Sequence, residues 1–192
     1  SIGDVLAETK VEDNNSIVPL GELKGSVEFC NVDFKYPDGE KLILDDFSLK
    51  VNSGESIAFV GESGAGKSTI LNLLIGFIPP VNGKILIDRI NMVNLDINEY
   101  RRQIAVVPQN TILFSGTIRE NITYGLENIT EEEIKRVIEQ VGLDDMIKGM
   151  PNGLDTLLGE HGDKLSGGQK QRISIARALI RKPKIIIFDE AT

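Results

Sequence analysis

The stretch GESGAGKST, Gly61 to Thr69, fits the pattern G-x-x-x-x-G-K-[ST] and dictates what must surround it. A loop of this kind needs a strand that delivers the chain to it and a helix that leaves it. The apolar run Ser56 to Val60 (SIAFV) is read as that strand, and Ile70, Leu71 and Leu74 open the helical pattern. Glycines at 61, 64 and 66 permit a tight wrap in which successive backbone N–H groups converge on a phosphate, helped by the positive end of the helix. Lys67 is placed to reach the β and γ phosphates, and Ser68 to put its hydroxyl on Mg²⁺. The candidate nucleotide-binding residues are therefore Gly61, Glu62, Ser63, Gly64, Ala65, Gly66, Lys67, Ser68 and Thr69. The loop by itself specifies a nucleoside triphosphate and leaves kinase, GTPase, helicase and transporter open.

Composition narrows the surroundings. A chain of 192 residues is about one domain and buries roughly 70% of the surface its unfolded form exposes. With 21 basic and 29 acidic residues the net charge is −8, so the general field repels nucleic acid and anionic lipid, and phosphate must be held locally. The single cysteine, Cys30, excludes an internal disulfide and is expected in the core. Ile70 to Val81 is the greasiest run, but it is shorter than the roughly 20 residues of a membrane span, and no membrane insertion is expected. Ser1 to Lys10 lacks the basic and apolar regions of a signal peptide.

Residues 1–25 are polar and acidic, with a short apolar pattern at Ile2, Val5 and Leu6, and read as a connector ending in a loose linker. From Val27 the pattern alternates: Val27, Phe29, then Val32, Phe34 and Tyr36 around an expected bulge, and later Phe47, Leu49 and Val51, which predicts antiparallel strands. Lys84 to Ile87 and Ile104 to Val107 read as further strands. Between Thr117 and about Lys164 no strand pattern is visible, which predicts an inserted α-helical region over about residues 111–165. Within it Thr130 and Glu133 form a capping box for the helix EEEIKRVIEQV, whose Ile134, Val137, Ile138 and Val141 share a face. A second box, Ser166 with Gln169, opens a helix carrying Ile173, Ile175, Ala176 and Leu179, stopped at Lys182-Pro183. The strand Ile185 to Phe188 follows. The order predicts an α/β protein: a P-loop NTPase core with a mainly parallel sheet, an antiparallel β entry region and a helical insertion.

The stretch LSGGQKQR, Leu165 to Arg172, presents a second anion site, since Ser166, Gly167, Gly168 and Gln169 sit at a helix N-terminus. Capping accounts for Ser166 and Gln169 but not for both glycines. One nucleotide has no use for both sites within one molecule unless two such sites face each other.

These two motifs, in this order, resemble the ATP-binding cassette (ABC) family, whose signature is L-S-G-G-Q, and the resemblance runs from about Val27 to Thr192. It implies ATP and Mg²⁺ as ligands, and a head-to-tail dimer in which the signature helix of one domain closes on the γ-phosphate held by the other. It further implies that Tyr36 in FKYPDG stacks on adenine and that Gln109 in VVPQN touches Mg²⁺ and the attacking water. Asp189 would hold Mg²⁺ through water, and Glu190 would be the general base. Without the family, Tyr36 reads as an edge-strand aromatic, Gln109 as a loop residue, and Asp189-Glu190 as a strand ending in solvated acids. LFSGTIRENITYG and GELKGSVEFCNVDFKYPDG resemble exporter segments. His161 stands where exporters carry an arginine in a G-E-R-G-like loop and is given no catalytic role.

The resemblance implies that residues 1–25 link to a transmembrane domain, and that 26–192 form an ABC ATPase domain lacking its C-terminal part. The partners would be the transmembrane domain of the same transporter and a second ABC domain, at the cytoplasmic face of a membrane, with no nucleic acid. The expected function is the ATP-hydrolysing motor of an exporter. The alternatives are a soluble cassette ATPase not involved in transport, and a module that binds ATP without turnover.

Overall fold

A computed structural model describes residues 18–37, 39, 41–159 and 165–189, which fall into two compact units, the chain passing from the first to the second after Tyr100. The first unit is built on strands β1 (Val27–Phe34), β2 (Leu44–Val51), β3 (Asn82–Ile87) and β4 (Ile90–Asn91), antiparallel in the order β2-β1-β3-β4. The alternation of β1 is what makes this sheet: Val27, Phe29, Val32 and Phe34 are all buried. The expected bulge lies at Asn31, whose φ is 47°, where the register to both neighbours shifts. Cys30, expected in the core, is half-buried instead, because alternation gives the inward position to Phe29.

Helix α1 (Lys67–Ile75) starts at the phosphate-loop motif and ends on Gly76 in the left-handed conformation. Helix α2 (Ile97–Arg102) carries Tyr100, fully buried, whose hydroxyl donates to the Leu74 carbonyl at 2.8 Å. The polar segment before β1 lies along this unit from Val18 onward. The Val18 N–H donates to Asn94 O at 2.8 Å, Leu23 is buried, and the Asp88 carboxylate accepts from the backbone N–H groups of Lys24, Gly25 and Ser26.

One expected strand does not form. Ser56 to Val60 belongs to no strand, with Ile57 47% and Val60 95% exposed. An apolar run makes a strand only beside a neighbour that takes its hydrogen bonds, and among the described residues none does. Among the described residues the parallel strand pairing is one pair in the second unit.

That pair is β5 (Ile104–Val107) and β8 (Ile185–Phe188), in register from Ile104 opposite Ile185 to Val107 opposite Phe188. The rest of the second unit is largely helical: α3 (Ile118–Ile122), α4 (Glu131–Val141), α5 (Asp144–Lys148) and α6 (Gly167–Leu179). Ile134, Val137 and Ile138 of α4 pack with Ile118 and Ile122 of α3 and Ile173 and Ala176 of α6 in one core. Two-residue strands β6 (Gly116–Thr117) and β7 (Leu157–Leu158) pair antiparallel inside the stretch that showed no strand pattern; two residues are too few to carry a period. Ala178 of α6 packs on Ala105 and Val107 of β5, which ties α6 to the strand pair.

Candidate nucleotide site

In the first unit the loop before α1 has the backbone its glycines predict. Gly64 and Gly66 have φ of 83° and 89°, conformations that L side chains rarely adopt, and a Cβ on Gly66 would press on Ile43 and Leu44 at 3.3 Å. Gly66 is the N-cap of α1 and offers no side-chain cap, and the first turn carries no acidic residue, so its N–H groups and the positive helix end are left to the loop. The Lys67 ammonium folds back over the loop, donating to Gly61 O at 2.8 Å and Glu62 O at 2.7 Å. Ser68 is exposed, and Thr69 is buried behind it.

Tyr36 lies beside this loop in space. It follows β1 and opens a turn closed by the Gly39 N–H on Tyr36 O at 2.9 Å, with Pro37 in the position that favours such a turn. Its ring meets Phe34 edge to face, with centroids 5.0 Å apart at 87°, and its hydroxyl lies 3.3 Å from Thr69 Oγ1. The ring remains 41% exposed.

In the second unit the parallel pair brings two predicted residues to one end. The Asp189 N–H donates to Val107 O at 3.0 Å, so Asp189 leaves β8 beside the exit of β5, and Gln109 lies two residues beyond that exit, exposed. Strand ends of a parallel pair are where such side chains escape the core. Glu190, like His161 and residues 1–17, lies outside the described residues. Serine, glutamine and aspartate are hard oxygen donors of the kind Mg²⁺ takes. Among the described residues no three His, Cys, Asp or Glu gather.

The signature stretch forms the N-terminus of α6 with the expected capping box: the Ser166 N–H donates to Gln169 Oε1 at 2.9 Å, and the Gln169 N–H to Ser166 Oγ at 3.3 Å. Leu165 is buried in the helical core and anchors the turn. Gly167 and Gly168 are exposed, and a Cβ on either would meet nothing within 4 Å.

Two features of the second unit were not read from the sequence. Thr117 and Glu120 form a third capping box, opening α3, for which T-I-R-E was the available signal. Further along α6, Arg177 reaches into the segment after Gln109, donating to Ile112 O at 2.9 Å, with its guanidinium 5.0 Å over the Phe114 ring. Burial holds its pKa below the ordinary value. Phe114 in turn stacks on Tyr124, with centroids 4.3 Å apart.

A glycine-rich loop wrapped ahead of a helix, on a mixed α/β frame, defines a P-loop nucleotide-binding domain. The particular family follows from comparison: the family model described as ABC transporter matches residues 44–192, and the chain belongs to that family. Over 183 residues it is 49% identical to the ATP-dependent lipid A-core flippase of Desulfotalea psychrophila, covering 95% of this chain and 32% of that protein. It is 45% identical to the uncharacterized ABC transporter ATP-binding protein YwjA of Bacillus subtilis, covering 96% of this chain and 32% of the relative. Its fold matches a bacterial Atm1-family ABC exporter with ATP bound at a TM-score of 0.82 and 38% identity, over 98% of this chain and 34% of the exporter. The chain thus spans about a third of the length of these relatives. No helix among the described residues is long and apolar enough to cross a membrane.

Proposed function

We propose that this chain is the ATP-binding and hydrolysing motor of an exporter, acting at the cytoplasmic face of a membrane as one half of a head-to-tail pair. The observation that carries the pairing is the state of Gly167 and Gly168. Neither has a positive φ, and a Cβ on either would strike nothing, so nothing among the described residues requires glycine there. Close approach from outside does require it. A nucleotide held by the P-loop of a second copy is the approach that fits, since α6 presents bare N–H groups and a positive helix end.

In this reading Tyr36 stacks on adenine, and the N–H groups of Gly64 to Ser68 and the Lys67 ammonium hold the β and γ phosphates. Mg²⁺, when bound, neutralises triphosphate charge. Ser68, Gln109 and Asp189 would be the residues that hold that ion, and Gln109 would also orient the attacking water. Glu190 takes the proton from the attacking water. Ser166, Gly167 and Gly168 of the second copy stabilise negative charge on the γ-phosphate as it transfers. A transmembrane partner is supported by the exporter relatives and by the exposed apolar surface of Ile112, Phe114 and Tyr124.

The test is ATP hydrolysis with Mg²⁺ over a wide range of protein concentration. Pairing predicts a rate per molecule that rises with concentration; a rate independent of concentration counts against it. Glu190→Gln is expected to retain ATP binding and abolish turnover, and turnover equal to that of the parent would remove Glu190 as the base.

A further inference from the structure

We infer that the Thr69 hydroxyl positions the adenine-stacking ring, tying Tyr36 to the first turn of the helix that receives the phosphates. The inference rests on the adenine reading of Tyr36 given above and adds a residue to it. Stacking needs only a flat ring, and phenylalanine supplies one as well as tyrosine does. The phenol is therefore surplus to stacking, yet its oxygen lies 3.3 Å from Thr69 Oγ1 rather than in open solvent. Thr69 is 5% exposed, so its hydroxyl has little water to turn to. Three constraints act on the ring: the turn closed by the Gly39 N–H, the Phe34 ring at 5.0 Å and 87°, and the hydroxyl on α1. Together they fix an exposed side chain that would otherwise lose rotamer freedom when a base binds.

Thr69 sits two residues after Lys67, inside the helix turn that faces the phosphates. The bond therefore makes base recognition and phosphate recognition mechanically continuous. Its signature is a change in the advantage of ATP over a ligand that has phosphates and no base.

The experiment measures dissociation constants for ATP and for inorganic tripolyphosphate, both with Mg²⁺, on the whole chain and its variants, and takes their ratio. Tyr36→Ala is expected to reduce the advantage of ATP by about five- to a hundredfold, the range for losing a stacked base. Tyr36→Phe and Thr69→Val are each expected to reduce it by about two- to tenfold, the worth of one hydrogen bond. The double variant should lose no more than either single one, and Thr69→Ser should keep the parent ratio. A purely structural role for Thr69 would weaken both ligands together and leave the ratio alone. If Tyr36→Ala lowers the ratio while Tyr36→Phe and Thr69→Val do not, the positioning role is overturned and the adenine reading stands. If Tyr36→Ala leaves the ratio unchanged, both fall.

Discussion

Arg177 donates from Nε to the backbone carbonyl of Asn121 at 2.7 Å and from Nη2 to the Asn121 side-chain oxygen at 2.8 Å. Asn121 is 1% exposed, and its amide spends both of its donors on Phe114 O and Thr117 O while its oxygen also accepts from the Phe114 N–H. One guanidinium thus joins the signature helix to the segment that follows Gln109. Removing it takes the Arg177 donor from the Asn121 backbone carbonyl and leaves the Asn121 side-chain oxygen with the Phe114 N–H. Arg177→Met is expected to destabilise the chain by about 1–3 kcal/mol, read as a lower urea midpoint, with Arg177→Lys in between because an ammonium cannot reproduce the fork.

Gly168→Ala separates folding from function. Near the start of α6, alanine replaces glycine in open space, which should raise stability by about 0.5–1 kcal/mol. The same methyl group occupies the surface proposed to receive a second copy's nucleotide, so turnover should fall. Unfolding and ATPase assays on the same preparation check the opposed signs; a variant both more stable and fully active would refute the role of that surface.

Lys67→Ala should weaken ATP binding by about ten- to a hundredfold, the worth of hydrogen bonds to a charged group. Titration calorimetry reads the loss directly. An unchanged affinity would place the triphosphate elsewhere.

A pH dependence follows from Glu133. The Lys182 ammonium, 2.5 Å away, and the Thr130 N–H hold its carboxyl down at about 2, against an ordinary 4.5. A depressed carboxylate contributes stability that is fully present above 4.5 and is lost as pH falls through 2. Glu133→Gln should therefore flatten the acid limb of the stability curve in that window, with its loss of stability relative to the parent fully present at neutral pH and fading as pH falls through 2. Denaturation of both forms between those limits is the check, and identical acid limbs would contradict the link.

Local signals were legible wherever a short period or a cap carried them. Val27, Phe29, Val32 and Phe34 announced β1, and Thr130-Glu133 and Ser166-Gln169 announced α4 and α6, because each pattern reports its own few residues. The loop at Gly61 to Thr69 was legible for the same reason. Ser56 to Val60 misled because apolarity says that a segment is strand-like and nothing about whether a neighbour will pair with it. The pairing of Tyr36 with Thr69 and the grip of Arg177 on Asn121 span 33 and 56 residues of chain. Contacts of that range are decided by the folded geometry, and neither a tyrosine after a strand nor an arginine within a helix advertises its partner.

The stacked pair of Phe114 and Tyr124 is held by Arg177 over the Phe114 ring and, through the Tyr124 carbonyl, by Arg181. Side chains on a surface usually surrender motion when something lands on them, and that surrender absorbs part of any push. Rings that already lean on each other, with one guanidinium over Phe114 and another on the Tyr124 carbonyl, have less of that motion left to surrender, so a partner landing on them gives up less of its binding free energy to ordering.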